Sequence, residues 1–369
     1  MSNPTFLDLA PEQQDLLLDL PFDGRYLVSG PPGSGKTLLA AHRATMLDIA
    51  GREVVLLTYS NVLRQYTRWL VEPLGFGGTI STCHKWFHRF WRRRYNEAPP
   101  TKGDGIEIDW TEILVQLSTS AIGFDGEIES LVVDEGQDLP NEFYALCTQL
   151  AVDVTVFADD NQRIGKDQST LSEIEALLGS EAERHHVIGN YRNSRQIAEL
   201  ANLFYCGTSS QAPPAPLREG AVPTLERYES ENAFADAVAD YARVNRQLEI
   251  GVALPHRQQL VALTDALHRR GIRHVQAYVS DSPYFRDLYF HKPGVKLFTP
   301  VSMKGQEFDT LYVPELEQYA GDVTSAVQRM RFYVLATRAR RELHLSYRGE
   351  REPELVSCIP PLVLKRLHR

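Results

Sequence analysis

Short, uninterrupted apolar runs alternate along this chain with longer stretches whose apolar positions recur at helical spacing. In the first half the runs fall at 26–29, 53–58, 79–81, 130–133 and 153–158. A strand that is apolar without alternation is buried on both faces, so the pattern predicts a parallel sheet with helices on each side. The alternation resumes beyond residue 181. Strands are expected at 185–188, 251–254, 295–299, 310–313 and 343–347, and helices at 194–204 and 232–248. The fold class is therefore α/β, parsed as two domains, 1–183 and 184–369, each with its own parallel sheet. The segment 207–223 carries Pro213, Pro214, Pro216 and Pro223 with little apolar content and is expected to be a surface loop. The basic tail from Lys365 is expected to be a frayed terminus.

A length of 369 residues supports the two-domain parse, being long for a single core. The first fourteen residues show no basic stretch followed by an apolar one. No apolar run approaches the roughly 20 residues that span a bilayer, so a cytoplasmic protein without membrane partners is expected. Cys83, Cys147, Cys206 and Cys358 are dispersed, which suggests neither a zinc site nor a disulfide framework. The net charge of −9 argues against coating nucleic acid by bulk electrostatics. It is unevenly spread. Residues 1–185 hold 15 Lys and Arg against 28 Asp and Glu, a net −13, and the remainder hold 24 against 20, a net +4. A backbone-binding surface must then be local or lie mainly in the second half.

The chemistry is most legible at Gly30-Pro31-Pro32-Gly33-Ser34-Gly35-Lys36-Thr37, a complete G-x-x-x-x-G-K-[ST] loop between an expected strand and an expected helix. Such glycines let backbone N–H groups curl around a triphosphate. Lys36 reaches the outer phosphates and the Thr37 hydroxyl can ligate Mg²⁺, so ATP and Mg²⁺ are the implied cofactors. The run Leu131-Val132-Val133 leads into Asp134-Glu135-Gly136-Gln137-Asp138. There Asp134 is placed to hold Mg²⁺ and Glu135 to polarise an attacking water. A later strand ends in Asp159-Asp160-Asn161-Gln162, where the Gln162 amide could orient that water or sense the γ-phosphate.

Further segments follow in order: Asn190-Tyr191-Arg192, Ser302-Met303-Lys304-Gly305-Gln306-Glu307-Phe308 and Thr337-Arg338-Ala339-Arg340. With Gln13, Thr58-Tyr59-Ser60-Asn61 and Thr82-Cys83-His84, this order resembles the superfamily 1 helicases of the UvrD, PcrA and Rep type over residues 9–347. The resemblance implies two tandem RecA-like P-loop NTPase domains. It implies adenine recognition by Gln13, with Tyr191 suited to stacking on the ring, and a ribose contact from Glu307 beside Gly305. Arg192 and Arg338 would neutralise charge at the γ-phosphate, and Tyr59, Asn61, Thr82 and His84 would contact a single strand of nucleic acid, DNA being favoured and RNA left open.

The chain also departs from that family. Only 50 residues separate His84 from Asp134 and 112 separate Arg192 from Lys304, so the large inserted subdomains are absent. Arg163-Ile164-Gly165-Lys166-Asp167 follows Gln162 where the family carries a stacking aromatic, and Val301 replaces its usual His. Residues 84–95 interleave Lys85, Arg89, Arg92, Arg93 and Arg94 with Trp86, Phe87, Phe90, Trp91 and Tyr95. At helical spacing most of those rings are expected to pack inward, leaving Arg92 and Arg93 among the candidate strand contacts.

The sequence thus points to an ATP-dependent nucleic-acid motor reduced to its two-domain core, DNA-stimulated, with a protein partner such as a nuclease in a bacterial defence complex. The alternative is an ATP-hydrolysing sensor or assembly switch that regulates a partner without translocating. A small-molecule P-loop kinase is more remote, since it would not need Gln137, Gln162 or the second domain's motifs.

Overall fold

The computed structural model describes residues 4–103, 107–119, 130–159, 168–207, 213–279, 288–290, 292–303, 305–319, 322 and 324–367. The chain divides into two compact units, Met1–Pro31 with Gly35–Val187, and Pro32–Ser34 with Ile188–Arg369.

The first unit runs α1 (Pro11–Asp19), β1 (Arg25–Ser29), α2 (Lys36–Ile49), β2 (Val54–Thr58), α3 (Asn61–Val71), β3 (Thr79–Thr82), α4 (Cys83–Tyr95), α5 (Trp110–Thr119), β4 (Ser130–Asp134), α6 (Asn141–Gln149), β5 (Asp153–Ala158), α7 (Leu171–Leu178) and β6 (Glu183–His186). Its inner strands are those a continuous apolar run dictates, whereas the edge strands β3 and β6 are polar and partly exposed. Val-Val-Leu-Leu-Thr in β2 and Ser-Leu-Val-Val-Asp in β4 are buried at every position. Among the described residues they form a six-stranded sheet in the order β3-β2-β4-β5-β1-β6, with every neighbour parallel. Parallel strands require crossovers, and the helices that supply them cover both faces.

Register determines where chemistry can gather. Ser29 pairs with Ala158, and Phe157 with Asp134. The carboxyl ends of β1, β5 and β4 therefore finish almost level, and the loops that leave them emerge side by side, where parallel sheets place their ligands.

Helix α4 shows how its mixed composition is resolved. Thr82 caps it, its hydroxyl accepting the Lys85 N–H, and Asn96 ends it in a left-handed conformation at φ 55°. Trp86, Phe87 and Trp91 are buried against α5 and α6 residues such as Ile113 and Phe143. Each buried ring returns roughly 4–6 kcal/mol of gross transfer energy, at about 25 cal/mol per Å² over 150–250 Å². Exposing them as a stacking platform would forfeit that, so the rings face the core, as their spacing implies.

The second unit runs α8 (Arg195–Asn202), β7 (Thr224–Arg227), α9 (Glu231–Val244), β8 (Glu249–Ala253), α10 (Arg257–Arg269), β9 (Val275–Ala277), β10 (Gly294–Phe298), β11 (Phe308–Val313), α11 (Ala326–Ala336), β12 (Ala339–Tyr347), α12 (Glu354–Ser357) and β13 (Lys365–Leu367). Among the described residues its sheet has the order β13-β7-β12-β11-β8-β10-β9, again wholly parallel. Helices α9 and α10 pack Phe234, Val238, Leu260 and Leu267 over Val252 and Leu297. These two parallel α/β sheets correspond to the RecA-like architecture expected.

Some expectations need correction. The tail is not frayed as far as Leu367. Lys365 pairs with Thr224 to make β13 an edge strand, and Arg366 is held by Glu352 at 2.7 Å. The strand expected at 185–188 lies at Glu183–His186, because its partner β1 pairs Tyr26 with Glu183 and ends at Ser29 with His186. The short strands β7 and β9 were not expected.

Candidate nucleotide site and basic groove

The loop Gly30, Pro31, Pro32, Gly33, Ser34, Gly35 joins β1 to α2. Gly33 and Gly35 have φ of +92° and +85°, a region that residues with a Cβ enter only with strain. Gly35 is restricted a second way: a Cβ there would stand 2.6 Å from the Gln13 Nε2. Gln13 is itself buried, its Oε1 accepting the Ala10 N–H at 3.0 Å. The same side chain thus begins α1 and abuts the end of the loop.

Lys36 is folded onto that loop. Its Nζ donates to the carbonyls of Gly30 at 2.6 Å and Pro31 at 3.0 Å, and lies 3.2 Å from the Asp159 carboxylate. Both partners of this ion pair are buried. An anion arriving at the loop would compete with Asp159 for the ammonium.

Asp134 closes β4, and Glu135 follows in a left-handed conformation at φ 56°. The turn lets the Glu135 N–H donate to Asp134 Oδ1 at 3.0 Å while the Glu135 carboxylate points elsewhere. It accepts from the Gln137 Nε2 at 2.5 Å, and the Gln137 Oε1 in turn accepts the Asp159 N–H at 2.9 Å. Gln137 is fully buried, so this amide ties the loop after β4 to the loop after β5.

Burial pushes Asp134 upward from the usual carboxylate range, and the adjacent Glu135 adds to the shift. A hydrogen bond from Thr37 and the Lys36 charge oppose it. Asp134 Oδ2 is buried with no hydrogen-bond partner among the described residues. An orphaned carboxylate oxygen beside a threonine hydroxyl fits a hard divalent cation such as Mg²⁺, which takes oxygen ligands and favours the ionised acid. Lys36, Thr37, Asp134 and Glu135 are thus brought together in one unit. Gln162 and Lys304 lie outside the described residues.

The second unit gathers its own candidates. Glu307 is paired with Arg192 through Nη2 and with Arg340 through Nε at 3.1 Å. Burial alone would raise the Glu307 carboxyl. The guanidinium groups of Arg192, Arg340 and Arg338 outweigh it and hold the acid below its ordinary value. Arg338 is 2% exposed, so it is no solvated surface charge. Arg192 is 9% exposed, and its Nε and Nη1 are buried without a hydrogen-bond partner among the described residues. Three guanidinium groups around one carboxylate, with the Arg192 Nε and Nη1 donors unspent, is an arrangement suited to an anion.

Asn193 builds this cluster, a role not anticipated from sequence. Its Nδ2 donates to the carbonyls of Thr337 at 2.9 Å and Ala339 at 2.5 Å, which locks the Asn190-Tyr191-Arg192 segment to the Thr337-Arg338-Ala339 segment. Gly305 turns at φ 77° just before Glu307. Tyr191 is 41% exposed, its ring lying over the backbone of Gly189.

The residues expected at a strand are dispersed over the first unit. Tyr59 is exposed after β2, near Asp138. The Asn61 Oδ1 is taken by the Arg64 guanidinium at 3.0 and 2.8 Å. Thr82 is occupied as the cap of α4. His84 lies with Arg64, Arg68, Lys85, His88 and Arg89 around a basic groove of about 560 Å³. Arg92 and Arg93 are exposed on α4 but do not line it. Arg64 and Arg68 were missed in the sequence because their partner cations lie on another helix. Their i, i+4 spacing was the available signal.

Residues 23–167 match the AAA_19 family, an AAA domain. Among solved structures, the chain is similar to the C-terminal domain of a possible DNA helicase from Lactobacillus plantarum WCFS1, at 22% identity and TM-score 0.37. That match covers 48% of this chain and 99% of that one. It is also similar to the PRRSV helicase, at 14% identity and TM-score 0.41, covering 89% of this chain and 53% of that one. The chain therefore spans about half the length of that helicase. None of the curated proteins matches it. Among the described residues, no helix is long and apolar enough to cross a membrane.

Proposed function

We propose that this chain is a superfamily 1 helicase-like protein that hydrolyses Mg²⁺-ATP and uses the cycle to move along single-stranded nucleic acid, DNA in preference to RNA. The observation that supports this reading most is the convergence of Lys36, Thr37, Asp134 and Glu135 at level strand ends. Lys36 binds the outer phosphates, Thr37 and Asp134 hold Mg²⁺, and Glu135 accepts a proton from the attacking water. Bound Mg²⁺ supplies charge neutralisation at the phosphates. Gln13 and Tyr191 bind the adenine, and Gly305 and Glu307 lie at the ribose. Arg192 and Arg338 stabilise the γ-phosphate, and Gln162 orients the water. Tyr59, Asn61, Thr82 and His84 meet the strand, with Arg92 and Arg93 on its flank. We place the protein in the cytoplasm with a protein partner, such as a nuclease of a defence complex.

ATP turnover by the purified chain tests the chemical half of this reading. Lys36→Ala should weaken nucleotide binding and turnover together. Glu135→Gln should bind ATP and turn it over slowly. Wild-type turnover by Glu135→Gln would remove Glu135 from the chemistry.

A further inference from the structure

The first unit is acidic, yet it collects cations in one concavity. Of the 15 Lys and Arg among residues 1–185, Arg64, Arg68, Lys85 and Arg89 line a single groove between α3 and α4, together with His84 and His88. The remaining lining comes from Ile80 and Ser81 of the edge strand β3, and among the described residues no carboxylate contributes.

The groove is built rather than accidental. Arg64 is clasped by Asn61, and the Arg89 Nη2 donates to the Ser81 Oγ at 2.9 Å. The Ser81 hydroxyl is a neutral oxygen, so that bond orients the Arg89 guanidinium without cancelling its charge. Arg68, Lys85 and Arg89 make no ion pair among the described residues. The cations form two rows, 64 and 68 on one helix, 85 and 89 on the other. Each pair is one turn apart, about 6 Å along the axis.

The aromatic content decides which polyanion fits. Trp86, Phe87 and Trp91 of α4 all point into the core. Among the described residues, the only rings lining the groove are the imidazoles of His84 and His88, which lie against each other with centroids 4.5 Å apart. With two imidazoles and no Trp, Tyr or Phe among the described lining residues, the groove is built to read phosphates more than to stack unpaired bases. A phosphate-only site favours the ligand of higher charge density. Duplex DNA carries one charge per about 1.7 Å of axis, with a stronger counterion-release slope than single strands.

We propose that the α3–α4 groove is a docking site for the phosphate backbone of double-stranded nucleic acid, adjoining the proposed strand contacts at His84 and extending away from them along Arg64, Arg68, Lys85 and Arg89. It rests on the nucleic-acid reading above and adds a second, duplex-specific surface to it.

The test is the affinity of the full chain, without nucleotide, for a short blunt-ended DNA duplex, measured by fluorescence anisotropy between about 50 and 200 mM salt. Four phosphate contacts give a slope of log Kobs against log salt near about −3.6 and a roughly hundredfold loss over that range. Arg68→Glu and Arg89→Glu should each reduce the slope by about 1, and the double variant should bind duplex far more weakly. Arg68→Ala with Arg89→Ala, checked by unfolding midpoint, guards against misfolding. Duplex affinity and slope unchanged in a folded double variant would overturn the proposal. So would binding of polyglutamate in place of duplex, which would assign the groove to an acidic protein. If the duplex is not bound here while single-stranded DNA still stimulates ATP hydrolysis, this inference fails and the motor reading survives.

Discussion

Gln137 donates to the carboxylate of Glu135 at 2.5 Å, and its other amide atom accepts the backbone N–H of Asp159 at 2.9 Å. One buried side chain thus sets the direction of the proposed base and joins the loop that carries it to the loop that carries the partner of Lys36. Gln137→Ala should leave ATP affinity nearly unchanged and lower kcat by a factor on the order of 10², the cost of a base displaced by about 1 Å. A kcat–KM split from steady-state kinetics checks this. A rise in KM alone would assign Gln137 to binding.

The arginine cluster of the second unit should reveal itself in stability. Removing the carboxylate in Glu307→Ala leaves the guanidinium groups of Arg192, Arg338 and Arg340 facing one another, and should cost roughly 3–5 kcal/mol in urea unfolding. Replacing Arg192 as well, in Glu307→Ala with Arg192→Met, should recover part of that loss. A double-mutant cycle gives the coupling directly. Strict additivity would show that the pair at Arg192 and Glu307 contributes nothing.

Acid sensitivity should follow from His42 of α2. Burial holds its imidazole below the ordinary value, and its Nε2 has no hydrogen-bond partner among the described residues. The folded state therefore prefers the neutral ring, and the unfolded chain takes up the proton first. Stability is complete above the unfolded value of about 6.5 and declines as pH falls from there toward the lower folded value. His88 and His186 are depressed in the same sense. His42→Gln should flatten part of the fall in unfolding midpoint below pH 6.5. An identical pH profile would show that the ring is not the responsible group.

What could be read in advance follows from where the information lies. Strands β2 and β4 were legible because five consecutive positions are buried, which forces a continuous apolar run. The short strands β7, β9 and β13 were not. Lys365-Arg366-Leu367 becomes a strand only because Thr224 to Glu226 offers a partner, and edge strands carry little pattern of their own. The phosphate loop and the Asp134-Glu135 pair stood out because their chemistry is contiguous in sequence. The Lys36–Asp159 ion pair, the Asn193 clamp and the α3–α4 groove did not, since each is made by residues that only folding brings together.

The central claim is that ATP turnover is coupled to a nucleic-acid strand, and the direct measurement is the hydrolysis rate of the full chain with and without single-stranded DNA at low salt. Coupling predicts a rate that rises with DNA and loses that stimulation as salt is raised, because phosphate contacts release counterions. A rate that neither single-stranded DNA nor RNA alters at any salt would contradict the motor and leave the ATP-driven switch.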